Sequence, residues 1–207
     1  MECSMSEPVA VDLFVEDRAH EAFLGPIVHR VAREEGVAVH ARIRSARGGH
    51  GRAIEELKLY QSVMALDPTS SGAPALVIVG IDANCKTYPK AREAVQAEIR
   101  AGLADRVILA CPDPHVERWY LADPISFETV VGFRPAVGKA KCARDYYKNL
   151  LAKSVRHGGH PPTLLGLEFA AELVEAMDLY RAGKNDHSLR AFVDELRTGL
   201  RRIGVGR

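Results

Sequence analysis

At 207 residues, 47% of them hydrophobic, the chain is long enough to bury a sizeable core as one domain or as one domain with an appendage, which excludes a disordered or fibrous protein. Lysine and arginine number 28 against 27 acids, so the formal charge of +1 gives no global reason to bind nucleic acid or a membrane; only local clustering can. The scattered cysteines Cys3, Cys85, Cys111 and Cys142 form no C-x-x-C pair, which points to a reducing cytoplasmic setting rather than a disulfide framework or a structural zinc site.

No apolar run reaches the length of a membrane span, roughly 18 residues. The leader "MECSMSEP" lacks the basic-then-apolar order of an export signal, so neither export nor insertion is expected. The valine-rich "VAVDLFVE", 9–16, reads as a strand. "RAHEAFLGPIVHRVAREEG" follows as an amphipathic helix, with Ala22, Phe23, Ile27, Val31 and Ala32 at helical spacing and Gly36 at its end. "VAVHARIRS" alternates apolar and polar residues as a half-buried strand. "RGGHGR" then reads as a glycine-rich loop before a helix over 53–65. Next come the strand "ALVIVGI", a helix over 89–101 and a short strand "RVILAC" closed by "PDP".

Strand and helix therefore alternate, which predicts an α/β fold: a mostly parallel sheet with helices on both faces, because parallel strands need crossover connections. Beyond Pro135 the pattern becomes helical, over 141–155, 168–182 and 188–201. The expected organisation is an α/β domain over 9–135 and a helical extension over 139–207 packed on it.

Loops at the carboxyl ends of parallel strands open on one edge, where ligands bind. In "VIVGIDANC" a buried strand ends at Asp82 and Asn84; Glu16 ends the first strand, and Glu117 follows the strand closing at Cys111. Acids gathered at one edge repel unless a cation or shared proton compensates them, and magnesium is the usual compensator. Trp119, Tyr120 and Leu121 read as core, and Cys85 and Cys111 as small buried fillers near strand ends. Glu117 beside Arg118 also fits a solvated ion pair. His157 and His160 in "HGGHPP" have no neighbouring cysteine pair to make a zinc site.

"VDLFVEDRAHEAFL", "VIVGIDANC" and "PDPHVERWYLAD", in that order, resemble the motifs of Toprim-type domains. They are similar in particular to small Toprim-like proteins related to nucleases of the overcoming-lysogenization-defect group. The resemblance covers roughly residues 9–125. It implies a Toprim-like fold in which Glu16 is the first acid, Asp82 and Asn84 the D-x-D pair, and Glu117 the later glutamate. Lys141 matches the downstream catalytic lysine, with Lys139 close behind. The sequence departs from E-G-x-x-D, having Asp17 where glycine is expected and His20 where aspartate is expected, and Asn84 contributes no charge.

The implied activity is phosphodiester hydrolysis of DNA or RNA by a Mg2+- or Mn2+-dependent nuclease, with Glu16, Asp82, Asn84 and Glu117 as metal ligands. An antiphage effector with a separate ABC- or AAA-type ATPase is the implied setting, and this chain carries no G-x-x-x-x-G-K-[ST] motif of its own. Arg44, Arg47 and Arg52, with Arg42, bracket "GGHG", where backbone can approach a phosphate. Lys141, Arg144 and Lys148 fall on one helical face that suits nucleic acid or a partner subunit equally. The competing expectation is a catalytically inactive binding or regulatory module, for which His20 and Asn84 speak. A phosphoacceptor receiver is disfavoured, because Cys111 and Pro112 stand where its hydroxyl would be. Self-association into a homo-oligomer is left open.

Overall fold

A computed structural model describes residues 7–44, 48–66, 73–143 and 145–205. Four parallel strands, β1 (Val9–Val15), β2 (Val39–Ile43), β3 (Leu76–Gly80) and β4 (Val107–Ala110), form one sheet in the order β2-β1-β3-β4. The crossover helix from β1 to β2 is α1 (Arg18–Glu34). From β2 to β3 it is α2 (Gly49–Leu66), and from β3 to β4 it is α3 (Tyr88–Gln96) followed by a 3-10 turn, Ala101–Arg106. The fold is therefore α/β, as the alternation of elements predicts.

Each strand divides its side chains between two cores, since successive residues point to opposite faces. Val11, Leu13, Leu76, Ile78 and Ile108 face α1 and the C-terminal helices. Phe14, Val77, Val79 and Leu109 face Ala53, Ile54 and Leu57 of α2 and Val95 of α3. Fully burying a side chain of this size contributes about 1.5–3 kcal/mol. Both faces of β1 and β3 thus favour the sheet centre, and the half-exposed β2 takes an edge.

After β4 come α4 (Glu117–Tyr120), α5 (Pro124–Val131), α6 (Tyr146–His157), α7 (Ala170–Ala176), α8 (Leu179–Asn185) and α9 (His187–Val205). Tyr147, Leu151, Leu173, Phe192 and Leu196 of these helices join the α1 side of the sheet in one continuous core. Trp119 and Tyr120 are buried there, packed on Phe23, and Trp119 stacks on Phe192.

Several boundaries differ from the sequence expectation for identifiable reasons. The helix expected from Ala53 begins at Gly49, whose N–H donates to the Glu16 carbonyl at 3.1 Å and whose φ of +79° suits glycine. The helix expected over 168–182 breaks at Asp178, which accepts from Arg181 N at 2.9 Å and so starts α8 as an N-cap. The basic helix expected from Lys141 starts at Tyr146, leaving Lys141 at a bend ahead of it.

Close approach of α1 to β3 depends on Gly80, where an added Cβ would lie 2.7 Å from Leu24 Cδ1 and 3.3 Å from His20 Cδ2. Gly80→Val is expected to lower stability by about 1–3 kcal/mol through overpacking, read from the urea midpoint. An unchanged midpoint would show that α1 is not seated on β3 in this way.

Candidate functional site

β1 connects outward to β2 while β3 connects outward to β4, so the chain reverses its direction of travel between β1 and β3. At such a switch point the two crossovers diverge and leave a crevice at the carboxyl ends of the strands. Glu16 is the residue after β1 and its N–H still donates to Gly80 O at 3.0 Å. Beyond β3, Ile81, Ala83 and Asn84 bond through their N–H groups to Ala110, Pro112 and Pro114 carbonyls at 2.9, 2.8 and 2.9 Å. These rungs hold Asp82 over the crevice.

Asp82 is the hub of the edge. Its Oδ1 accepts from Val116 N at 2.9 Å, its Oδ2 lies 3.1 Å from His115 Nδ1, and its main-chain N–H donates to Glu16 Oε2 at 3.1 Å. Asp17, the N-cap of α1, accepts from Ala19 and His20 N–H groups and lies 2.9 Å from His20 Nδ1. The other ring nitrogen, His20 Nε2, lies 3.2 Å from Asp82 Oδ1. Its direction misses a hydrogen bond, so the attraction to Asp82 is chiefly between charges.

A completely buried imidazole is therefore bracketed by two carboxylates. Burial opposes its charge, but Asp82 and the Asp17 hydrogen bond outweigh burial and push the His20 pKa well above 6.5. Burial likewise opposes ionisation of the two aspartates. His20 overcomes it, holding Asp17 down at about 2, and with His115 it holds Asp82 below the ordinary value. His115 is raised first by its bond to Asp82, against burial, and then by the charges of Asp82, Glu117 and Glu16.

Glu16 and Glu117 behave in the opposite way. Burial raises Glu16, with Asp82 adding to it, and burial raises Glu117, with Asp82 and Asp17 adding to it. Among the described residues no lysine or arginine ion-pairs with either. The edge thus holds two carboxylates satisfied by imidazoles and two that are not. Two oxygen donors of this kind suit magnesium, which takes one or two carboxylates and fills its shell with water and substrate phosphate. Asp82 has both oxygens engaged by groups of the chain itself, and among the described residues no three His, Cys, Asp or Glu side chains form a metal cage. Glu16 and Glu117 both feel the Asp82 charge, and Asp82 is the fixed charge between the two histidines.

The other expected residues are distributed more widely. Asn84 is exposed at φ 53°, with Nδ2 donating to Asp82 O at 3.2 Å. Lys141 reaches the same edge but its Nζ lies 2.6 Å from Asp113 Oδ1. Arg42 and Arg44 neutralise buried Asp12, with Tyr60 Oη donating to the same carboxylate at 2.7 Å, which makes them structural cations. Arg52 pairs with Glu56 at 3.0 Å along α2, and Lys148 is exposed on α6. Arg47 and Arg144 lie outside the described residues. Arg118 pairs with Asp186 at 3.1 Å, not with Glu117. Cys111 is buried as expected, whereas Cys85 is exposed, because it lies past the strand end on the turn that Asn84 makes.

Sequence reasoning missed the histidines as site residues. The signal for His20 is its position three residues after an N-cap aspartate, where a side chain folds back on the cap. Beside Asp82 is a cavity of about 200 Å³ lined also by His50, Asn84 and Lys86. Burial and the Lys86 charge lower the His50 pKa against the pull of Asp82, so its ring is neutral at pH 7. A phosphate oxygen entering there would meet a cation and a neutral base.

Removing His20 leaves the largely buried Asp82 without one of its charge partners and the exposed Asp17 without its ring partner. His20→Leu is expected to cost about 3 kcal/mol, and Asp82→Asn in the same chain should recover part of that, as measured by a double-mutant denaturation cycle. The His20 contribution is fully present below 6.5 and is lost as pH rises through its raised folded value. The Asp17 and Asp82 contributions are present above 3.8 and are lost as pH falls through their lowered values. The raised glutamates have the reverse effect, favouring the fold below 4.5 and losing that contribution as pH rises. Glu117→Gln should accordingly raise the melting temperature of metal-free protein at pH 8; a fall would show that Glu117 has a cationic partner in the fold.

No protein-family model, curated protein or solved structure matches this chain.

Proposed function

We propose that the chain is a divalent-metal-dependent phosphodiesterase acting on nucleic acid, with its site at the β1/β3 crevice. The observation that carries the proposal is the meeting of Glu16 and Asp82 at the switch point, with Glu16 and Glu117 both raised in pKa by burial and by the Asp82 charge. Glu16 and Glu117 would hold Mg2+ or Mn2+, with Asn84, two residues past Asp82, as a neutral oxygen donor. The ion supplies Lewis acidity toward a phosphoryl oxygen and a more acidic bound water.

The remaining tasks fall to the chain. His20 and His115 fix the Asp82 carboxylate so that it cannot swing away from the crevice. Lys86 attracts the phosphate, and His50 is neutral and able to accept a proton at its ring nitrogen. Lys141, anchored on Asp113, adds positive charge at the same edge. Supply of ATP energy by a separate ATPase, in a cytoplasmic antiphage system, follows the Toprim-like resemblance, and the chain has no phosphate-binding loop of its own to replace it.

One observation favours a second reading, a regulatory module without catalysis. Asp82 is already engaged by two imidazoles and an amide, which leaves less for a metal than an aspartate at His20 would.

Purified protein incubated with plasmid, single-stranded DNA and tRNA, with Mg2+ or Mn2+, separates the two. Cleavage is expected to need the metal and to fall at least about 100-fold in Glu16→Gln and Asp82→Ala. Equal cutting by parent and variants would mark a contaminant and remove the proposal. No cutting with either metal, with no rise in melting temperature on adding metal, would support the regulatory module.

A further inference from the structure

A cavity of about 500 Å³ lies where α1, α8 and α9 meet, and none of the crevice residues lines it. Its volume falls within the range of small-molecule sites, about 300–1,000 Å³. Helical spacing builds its walls. Tyr180 and Lys184 stand four apart on α8, while Arg190, Val193, Asp194 and Arg197 stand three and four apart on α9, so each helix turns one face inward. Gly183 brings the two helices together: a Cβ added there would lie 3.0 Å from Arg190 Cβ and 3.2 Å from its Cγ. The stem of Arg190 therefore packs across Gly183.

Part of the lining is neutralised within the fold. Glu34 accepts from Arg30 Nε and from Arg197 Nη2, both at 2.9 Å, and Arg30 also donates to Met177 O at 2.7 Å. Asp178 caps α8 and pairs with Arg181 at 3.3 Å. Three charges are left over. Lys184, Arg190 and Asp194 have no ion-pair partner among the described residues, although Arg190 and Asp194 stand at the i,i+4 spacing that suits an ion pair. Lys184 Nζ lies 4.4 Å from the centroid of the Tyr180 ring, and Tyr180 is still 74% exposed.

The spare groups define the ligand. Two cations against one carboxylate supply positive charge for a single phosphate group, and too little for a strand that brings a phosphate with every nucleotide. The exposed ring offers a stacking surface, with Leu179 and Val193 as apolar wall, and Asp194 offers an acceptor. A nucleotide base uses all of these. Guanine suits the carboxylate best, because its N1–H and 2-amino group are two parallel donors, whereas adenine sets an acceptor nitrogen beside its amino donor.

We propose that this cavity binds a mononucleotide, with guanine the preferred base. The base lies on Tyr180 and donates to Asp194, and the phosphate bridges Lys184 and Arg190. The site shares no residue with the β1/β3 crevice, needs no metal, and does not rest on the catalytic reading.

Equilibrium dialysis of the full chain in EDTA, against GMP, AMP, guanosine or inorganic phosphate in turn, tests it. GMP is expected to bind one per chain, at least about tenfold tighter than guanosine or phosphate. Lys184→Gln and Arg190→Gln should each weaken GMP about tenfold, and Tyr180→Leu by about as much. Asp194→Asn should remove the preference for GMP over AMP. All four positions are exposed, so the substitutions spare the core. No retention of GMP, phosphate held as tightly as GMP, or GMP binding that Tyr180→Leu and Lys184→Gln leave unchanged would each overturn the proposal. Displacement of GMP by a single-stranded oligothymidylate at lower concentration than by free GMP would assign the groove to a nucleic-acid strand and overturn it as well.

Discussion

The charge balance around a buried imidazole holds the crevice together. A parallel sheet with apolar faces must deliver its polar residues at the strand ends, and the strand order places the ends of β1 and β3 beside one another. Glu16, Asp17 and Asp82 consequently crowd one end of the molecule, where repulsion between the partly buried Glu16 and Asp82 and the exposed Asp17 opposes folding. His20, reaching from the first turn of α1 under Gly80, lies between Asp17 and Asp82 and turns that repulsion into two attractions. The rest of the edge, including the anchoring of Asp82 by His115 and Val116, builds on that arrangement.

The compensation is deliberately incomplete in its distribution. Asp17 and Asp82 are held ionised, while Glu16 and Glu117 are displaced toward their neutral forms. Titratable groups pushed apart in this way by burial and specific charges mark sites that do chemistry or bind ions more often than sites that only hold the fold. Stability lost at Glu16 and Glu117 is the kind of cost a binding site carries.

The sheet is legible because its signal is additive: "ALVIVGI" has no polar residue, is short, is rich in β-branched valine and isoleucine, and is preceded by glycine and proline, which together favour a strand buried on both faces. The placement of Glu16 and Asp82 at one edge followed from strand ends alone. Other features depended on contacts between distant segments. Arg42 and Arg44 looked like phosphate ligands because their partner, Asp12, lies a strand away and reads as an isolated polar residue in an apolar run. His20 read as a substitution in an acidic motif, since nothing local says that its ring bridges to a residue more than sixty positions on. Cys85 is exposed for a related reason: distance from a strand end does not tell burial once the chain turns.

The central claim is that His20 is a charged imidazolium clamped between two carboxylates. Side-chain nitrogen and carbon NMR shifts of His20, followed across pH in the metal-free protein, test it most directly. Both ring nitrogens are predicted to remain protonated at pH 7.5, with titration well above 6.5. A ring that is neutral at pH 7.5, or that titrates at the value of a free histidine, would contradict the account.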